Sequence, residues 1–229
     1  GTGLEGAAGM IVEPVAGNMG VVPPREGYLQ ALREACDRTG ALLIIDEVIT
    51  GFRVARGGAQ ERYGVRADIT CFGKIIGGGL PVGAFGGRRD VMRELAPEGK
   101  CYQGGTLSGN PLATAAGLAV MGELAKPGVY ERLEASGAEL EDAVRASGAP
   151  VHVTRVGSML TPFFPPGPVE DYADATRSDT EAYGRFARAL LAEGVYPPPS
   201  QFEAWFTGLT HGDEQLAAAR AALARAAQA

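Results

Sequence analysis

Residues 41–46 read ALLIID, a continuous apolar run that ends in an acid. Runs of this kind are typical of parallel strands that helices cover on both faces. The residues before it, 24–40, begin with proline, carry apolar side chains at helical spacing and end in glycine, which predicts a helix. A helix that leads directly into a buried strand is typical of an α/β layer structure.

Three further apolar runs of strand length flank this helix and strand. They are AAGMIVE at 7–13, ADITCFG at 67–73 and PVGAFGG at 81–87. The spacing predicts a mainly parallel sheet with helices packed against it. In such sheets a ligand lies beyond the carboxyl ends of the strands. Asp46 and Lys74 both stand at such an end.

The later part of the chain has a different pattern. An Ala-rich helical stretch at 110–125 is interrupted by the sequence KPG. The elements that follow mix helices and short strands, namely a helix at 129–147, strands at 151–157 and 158–164, a proline-rich loop at 162–168, and helices near 176–193 and at 212–228. We therefore predict two domains, the later part of an α/β domain at 1–126 and a small α+β domain at 127–229.

Composition and charge exclude several classes of function. The chain has 229 residues, of which 45% are apolar and 21% charged, and its formal net charge is −6. Because acids and bases are interspersed, neither nucleic acid nor an anionic membrane is expected as a partner. No apolar run is long enough for a membrane span. Three cysteines without C-x-x-C spacing and two histidines predict no disulfide framework and no metal site, which favours the reducing cytoplasm.

Lys74 and Asp46 are the residues with the clearest chemical potential. A lysine that loses hydration among apolar groups tends to lose its proton, and the neutral amine attacks carbonyls. Taken alone, Lys74 is better explained as a solvated surface charge, and Asp46 as a turn former. Taken together, the two indicate an aldehyde cofactor that bonds the lysine while the acid holds a ring nitrogen protonated. Proteins tune pyridoxal phosphate as an electron sink in this way.

The glycines have two explanations. GGG at 77–79 and GG at 86–87 are able to bind phosphate through backbone amides, or to allow tight turns and close packing. Neither G-x-G-x-x-G before a helix nor G-x-x-x-x-G-K-[ST] occurs, so a nucleotide-binding enzyme is disfavoured. Packing is the favoured explanation for most of them. The segment YQGGTLSGNP at 102–111 ends at a helix start, where Thr106, Ser108 and backbone amides are candidates to bind an anion.

Residues 42–87 resemble the cofactor region of class III aminotransferases of fold type I. The shared features are the pattern D-E-V-x-x-G-F-R and a lysine 28 positions after its aspartate. Three more segments are similar to the glutamate-1-semialdehyde 2,1-aminomutases of that family, namely VEPVAGNMGVVPP at 12–24, YQGGTLSGNPLATAAG at 102–117 and GVYPPPSQFEAWFTGLTHGDEQL at 194–216. The resemblance runs through nearly the whole chain. It implies the large domain of fold type I for 1–126.

The resemblance implies a role for each of several residues. Lys74 is expected to bond the aldehyde of pyridoxal 5'-phosphate and to shuttle protons. Asp46 is expected to pair with the pyridine nitrogen, and Val48 to pack against one face of the ring. Asn18 is expected near the ring hydroxyl, and Glu203 is expected to line the substrate pocket.

Two further residues connect the site to a second subunit. By the same resemblance, Gly105 and Thr106 are expected to reach the phosphate of the cofactor in the neighbouring subunit. This implies a homodimer with shared active sites.

The chain is expected to be the later half of a longer protein. It has no initiator methionine and enters a strand almost at once. It also matches only the later half of the family, so the phosphate loop, the ring-stacking aromatic residue and the gating loop of the earlier half are not in it. The chain by itself is therefore not expected to contain a complete site.

The resemblance implies isomerisation of glutamate-1-semialdehyde, an amino-aldehyde, to 5-aminolevulinate for tetrapyrrole synthesis. The cofactor in its pyridoxamine 5'-phosphate form would donate nitrogen during the cycle, so no external donor is needed. One alternative is a class III ω-aminotransferase that moves an amino group from an amine to a 2-oxo acid. Another is a catalytically incomplete fragment that is kept for dimerisation.

Overall fold

The structure, a computed structural model, describes residues 3–164 and 167–228. It divides into two compact units. The first contains the residues up to Pro14 and Glu26–Lys126, and the second contains Val15–Arg25 and the residues from Pro127 on. Pro165 and Pro166 of the predicted proline-rich loop, and the first two residues and the last residue of the predicted domains, lie outside the described residues.

The first unit is built on a four-stranded sheet in the order β1-β2-β3-β4. The strands are β1 at Gly9–Val12, β2 at Leu42–Asp46, β3 at Ile69–Gly73 and β4 at Gly83–Gly87. β1, β2 and β3 are parallel, and β4 runs antiparallel to β3. The predicted α/β architecture with a mainly parallel sheet is confirmed.

Helix α1, at Tyr28–Thr39, packs against one face of this sheet. Its Leu29 and Cys36 belong to one buried cluster with Leu43 and Ile45 of β2. The helix begins four residues later than residue 24 because Gly27, with φ 75°, takes the left-handed conformation before its first turn. It ends as predicted at a left-handed glycine, Gly40, which donates to the carbonyl of Cys36 at 2.9 Å.

The opposite face of the sheet is only partly covered. Side chains alternate along a strand, so Ile44 of β2 points away from α1, beside Ile11 of β1 and Ile69 of β3. Ile11 is 62% exposed, and Phe85 of β4 is 43% exposed on the same side. α1 and the short helix α2, at Gly58–Tyr63, both lie on the Ile45 side of the sheet.

The remaining elements of the first unit surround the ends of β3 and β4. A single 3-10 turn at Lys74–Gly77 follows β3, and a short helix α3, at Arg89–Met92, follows β4. Helix α4, at Pro111–Leu124, packs against the 3-10 turn. Asn110 caps α4 by accepting from the amide of Ala113 at 3.0 Å, and proline stands at its first position as the sequence indicates.

The second unit has a three-stranded antiparallel sheet in the order β5-β6-β7. β5 spans His152–Val156, β6 Met159–Phe163 and β7 Trp205–Phe206, and the helices are α5 at Val129–Ala146, α6 at Tyr172–Ala175, α7 at Thr180–Ala192 and α8 at Asp213–Ala226. One buried cluster joins β6 to α5, α7 and α8 through Leu160, Val144, Leu190 and Leu223. This is an α+β unit, with the two predicted strands and the three longer helices in place.

Two elements of this unit, α6 and β7, were not predicted. β7 is a strand of two residues within the segment 194–210, too short to produce an alternating pattern. Pro162 lies inside β6, although proline is rare in central strands. It is accommodated because β7 pairs only with Met159 and Leu160, while the Pro162 carbonyl accepts from Nε2 of Gln201 at 3.0 Å. Within the described residues, no helix is long and apolar enough to cross a membrane.

Candidate functional site

The carboxyl ends of β2 and β3 lie side by side. Asp46, the last residue of β2, is paired with Cys71 of β3, and Lys74 comes directly after the end of β3. The sheet therefore brings the predicted acid and the predicted lysine to the same edge. Lys74 has φ 49°, which places a non-glycine residue in the left-handed region and holds the chain in a sharp turn as it leaves the strand.

Lys74 is exposed. It opens onto a surface depression that is lined by Ile75, Leu80, Pro81 and Val82. The amine is thus accessible to a ligand in this chain.

Asp46 is half-buried, and its carboxylate is oriented by the backbone. Its Oδ1 accepts a hydrogen bond from the amide of Val48 at 2.9 Å, so the acid does form a local turn. Burial raises the pKa of the Cys71 thiol, and the charge of Asp46 raises it further. The carboxylate of Asp46 thus faces β3 as well as its own loop.

Val48 lies against the residue that precedes Lys74. A Cβ on Gly73 would be 3.2 Å from Cγ1 of Val48, so glycine at this position makes room for the valine side chain. The residues that carry an amine, a carboxylate and an apolar side chain, Lys74, Asp46 and Val48, therefore lie at the same edge of the sheet. These are the groups that an aldehyde-bearing aromatic ring with a basic nitrogen requires, and the residues present fit pyridoxal phosphate.

The glycines after Lys74 permit close packing, as the sequence favoured. A Cβ on Gly77 would lie 2.6 Å from Cγ1 of Val82, and one on Gly78 would lie 2.5 Å from the carbonyl of Ala116 in α4. From the other side, a Cβ on Gly117 of α4 would overlap the carbonyl oxygen of Ile76. Helix α4 and the turn that carries Lys74 are therefore in backbone-to-backbone contact.

Glu47 is a polar residue of the site that sequence reasoning missed. It is 1% exposed, and its carboxylate accepts from the hydroxyl of Thr50 at 2.6 Å and from the amides of Ala59 at 2.8 Å and Gln60 at 3.0 Å. Glu47 is part of the D-E-V pattern, but its position next to Asp46 does not indicate a separate role in the sequence. Only the fold shows that Asp46 and Glu47 face different surroundings.

Gly105 and Thr106 lie in an exposed loop before α4. Their neighbour Ser108 donates its amide to the carbonyl of Gly105 at 2.9 Å, which shapes the loop into a turn. Tyr102 and Leu107 of the same loop are 89% and 67% exposed. The loop is accessible to a ligand or a partner on this side of the first unit.

Asn18 and Glu203 belong to the second unit. The segment that carries Asn18 is joined to the segment that carries Glu203 by a hydrogen bond from the amide of Gly20 to the carbonyl of Phe202 at 2.7 Å. Both side chains are exposed. The structure thus brings together Lys74, Asp46 and Val48 in one unit and Asn18 and Glu203 in the other. Among the residues that the structure describes, no group of three or more His, Cys, Asp or Glu is arranged to hold a metal ion.

Comparison with known proteins finds close relatives. A curated protein from Thermomicrobium roseum, named glutamate-1-semialdehyde 2,1-aminomutase, is 57% identical over 98% of this chain and 54% of its own length. An omega-transaminase structure from Sphaerobacter thermophilus matches with a TM-score of 0.85 and 34% identity, over 96% of this chain and 51% of that chain. A glutamate-1-semialdehyde-aminomutase from Pseudomonas aeruginosa PAO1, in complex with PMP, matches with a TM-score of 0.82 and 28% identity, over 95% and 51%.

The chain spans about half the length of the curated relatives that it matches. The family model for class-III aminotransferases matches residues 3–219, which is nearly all of it. With the fold of solved aminotransferases and a lysine and an acid at one sheet edge, the chain belongs to the class-III aminotransferase family.

Proposed function

We propose that this chain is part of an enzyme that isomerises glutamate-1-semialdehyde to 5-aminolevulinate with pyridoxal 5'-phosphate. The observation that carries the proposal is the placement of Lys74 and Asp46 at the adjoining ends of β3 and β2. The specific substrate is supported by the relatives that are named glutamate-1-semialdehyde 2,1-aminomutase at 57% and 59% identity. Because substrate and product are isomers, the reaction needs no external amino donor.

In this proposal each side chain has a separate task. When bound, the cofactor supplies an electron sink for the carbon that carries the amino group. The Lys74 amine binds the cofactor aldehyde and moves protons at the reacting carbon. The Asp46 carboxylate holds the proton on the pyridine nitrogen, and Val48 orients the ring through apolar contact. Asn18 is assigned to the ring hydroxyl and Glu203 to the substrate pocket.

We also propose that the enzyme is a cytoplasmic homodimer whose subunits share active sites. Helix α4 is apolar around most of its circumference, yet Leu112 and Leu118 are 74% and 70% exposed. A helix that is apolar on all sides is normally buried, so the exposed leucines of α4 and the preceding loop with Gly105 and Thr106 suit a second subunit. The cytoplasmic location is supported by the sequence, in which three cysteines without C-x-x-C spacing favour a reducing compartment.

A second candidate is an ω-aminotransferase that uses an external amine. It is favoured by the structural match to an omega-transaminase at a TM-score of 0.85. The two activities differ in one property, since only the aminotransferase requires both an amine and a 2-oxo acid. Turnover of glutamate-1-semialdehyde alone distinguishes them.

Cofactor trapping tests the role of Lys74. The chain has only three lysines, Lys74, Lys100 and Lys126, and all are exposed. We expect borohydride reduction in the presence of pyridoxal phosphate, followed by peptide mass mapping, to place the label on Lys74. Lys74→Ala removes that label, whereas Lys100→Ala, the matched control, retains it. Label spread equally over the three lysines would contradict the assignment.

Activity then decides between the candidates. Conversion of glutamate-1-semialdehyde without added amine supports the aminomutase, and turnover only with an amine and a 2-oxo acid supports the aminotransferase. A chain that is labelled at Lys74 but converts neither substrate set is a cofactor-binding fragment that is catalytically incomplete.

A further inference from the structure

Glu47 follows Asp46 directly, but its carboxylate is buried rather than directed at the sheet edge. Its Oε2 accepts from the Thr50 hydroxyl at 2.6 Å and from the Ala59 amide at 2.8 Å. Its Oε1 accepts from the amide and the side-chain nitrogen of Gln60 at 3.0 and 3.4 Å. Both oxygens of this carboxylate therefore serve as acceptors.

These hydrogen bonds connect three parts of the first unit. Thr50 lies in the loop after β2, while Ala59 and Gln60 lie in the first turn of α2. Gln60 continues the connection, because its Oε1 accepts from the amide of Ala67 at 2.8 Å and its Nε2 donates to Oγ1 of Thr70 in β3 at 3.0 Å. The Glu47 carboxylate is thus the point where the loop, α2 and β3 are tied together.

The backbone of Glu47 is held as firmly as its side chain. Its amide donates to the carbonyl of Cys71 at 2.9 Å, and its carbonyl accepts from the amide of Gly51 at 2.8 Å. Asp46 and Val48 are its two neighbours in sequence, and the amide of Val48 donates a hydrogen bond to Oδ1 of Asp46 at 2.9 Å. A shift of Glu47 therefore displaces both of them.

The residues next to Glu47 include two glycines at positions where a side chain would collide with it. Gly58 has φ 67°, and a Cβ there would overlap the Glu47 carboxylate group. A Cβ on Gly51 would lie 2.6 Å from the Glu47 carbonyl oxygen. Two glycines thus leave the space that this buried acid occupies.

We propose that Glu47 is a positioning residue, which fixes the orientation of the Asp46 carboxylate and the Val48 side chain through its buried hydrogen bonds to Thr50, Ala59 and Gln60. The effect of Glu47 on cofactor binding rests on the proposed function, whereas its effect on the conformation of the loop after β2 does not. Glu47 itself touches no reacting atom in this assignment.

The substitution Glu47→Gln tests this with almost no change in volume. A carboxylate only accepts hydrogen bonds, whereas an amide must turn its NH2 group toward at least one of the donors at this site. A buried donor without an acceptor costs free energy, so the substitution weakens the hydrogen bonds that hold the loop after β2 in place. Thr50→Val removes one donor and is the milder variant. Asp68→Asn is the matched control, because Asp68 is another buried carboxylate of the same sheet, next to the opposite end of β3.

Amide hydrogen exchange of the full chain without cofactor is the first measurement, at a temperature well below the unfolding of the least stable variant. Relative to the amides of β1, we expect the amides of Val48 and Gly51 to exchange about tenfold faster in Glu47→Gln, a factor that equals about 1.4 kcal/mol. Thr50→Val should also speed the exchange of these two amides, but by a smaller factor. Asp68→Asn should leave their exchange unchanged relative to the amides of β1. Equal exchange of these amides in Glu47→Gln and Asp68→Asn overturns the proposal.

Labelling with pyridoxal phosphate and borohydride is the second measurement. At limiting cofactor, we expect the label on Lys74 to fall about tenfold in Glu47→Gln and to be retained in Asp68→Asn at matched folded fraction. Equal labelling of Lys74 in these two variants counts against positioning. If the unsubstituted chain takes no label on Lys74, the assignment of Lys74 as a cofactor-binding residue fails for this chain by itself, and the exchange experiment still decides the role of Glu47.

Discussion

Asp68 shows how a single buried charge is satisfied in this fold. It is 5% exposed, and its Oδ2 accepts from the amide of Leu43 and from Arg33, both at 2.7 Å. Its Oδ1 accepts from Arg88 at 2.9 Å. Burial by itself would raise the pKa of this carboxyl, but the hydrogen bonds from Leu43, Arg33 and Arg88 outweigh it, and the pKa lies below its usual value.

The lowered pKa of Asp68 predicts how stability depends on pH. A carboxyl whose pKa is lower in the folded state stabilises the fold above its unfolded pKa, about 3.9, and loses that contribution as the pH falls through the folded pKa. We expect Asp68→Asn to lower the unfolding free energy by roughly 2 kcal/mol near pH 7. Its stability should then depend less on pH below about pH 4 than that of the unsubstituted chain.

Urea unfolding between pH 2 and pH 7 measures this difference. If the two curves of free energy against pH stay parallel down to the lowest pH, the lowered pKa of Asp68 is not a source of acid sensitivity.

Residues also differ in how far their roles were predictable. Lys74 and Asp46 follow apolar runs directly, so their place at strand ends was readable from the sequence. Glu47 was not, because the donors to its carboxylate lie 3 to 13 positions away along the chain and meet it only when α2 packs beside β3.

Among the elements, the contact between α4 and the 3-10 turn determines where Lys74 sits. This contact depends on Gly117, whose missing side chain lets α4 approach the carbonyl of Ile76. We expect Gly117→Ala to displace the turn, to lower the unfolding free energy by about 2 kcal/mol and to reduce cofactor labelling of Lys74.

Gly122 provides the matched control in the same helix. A Cβ there would meet nothing within 4 Å, so Gly122→Ala should stabilise the chain by up to about 1 kcal/mol through helix propensity alone. Thermal and urea unfolding of the two variants measure both effects. Similar changes in stability for Gly117→Ala and Gly122→Ala would show that the close approach is unimportant.

On the scale of the whole molecule, the exposed leucines of α4 predict self-association. Leu118 is 70% exposed in the middle of this helix. We expect the chain to sediment as a dimer at micromolar concentration and Leu118→Lys to sediment as a monomer, because a buried unpaired charge opposes the interface. Leu191, 55% exposed on α7, is the control position, and Leu191→Lys should remain dimeric. A monomeric unsubstituted chain contradicts the dimer.

The sequence by itself determined the class of the fold, the bounds of most helices and strands to within a few residues, and the lysine and acid at the strand ends. These follow from local causes, namely apolar periodicity, caps and turns, which act over neighbouring positions. Only the tertiary structure decided that β4 pairs antiparallel with β3 and that Val15–Arg25 joins the second unit. It also decided that the Glu47 carboxylate ties a loop, a helix and a strand together. Each of these depends on contacts between residues distant in sequence, and no local pattern encodes such contacts.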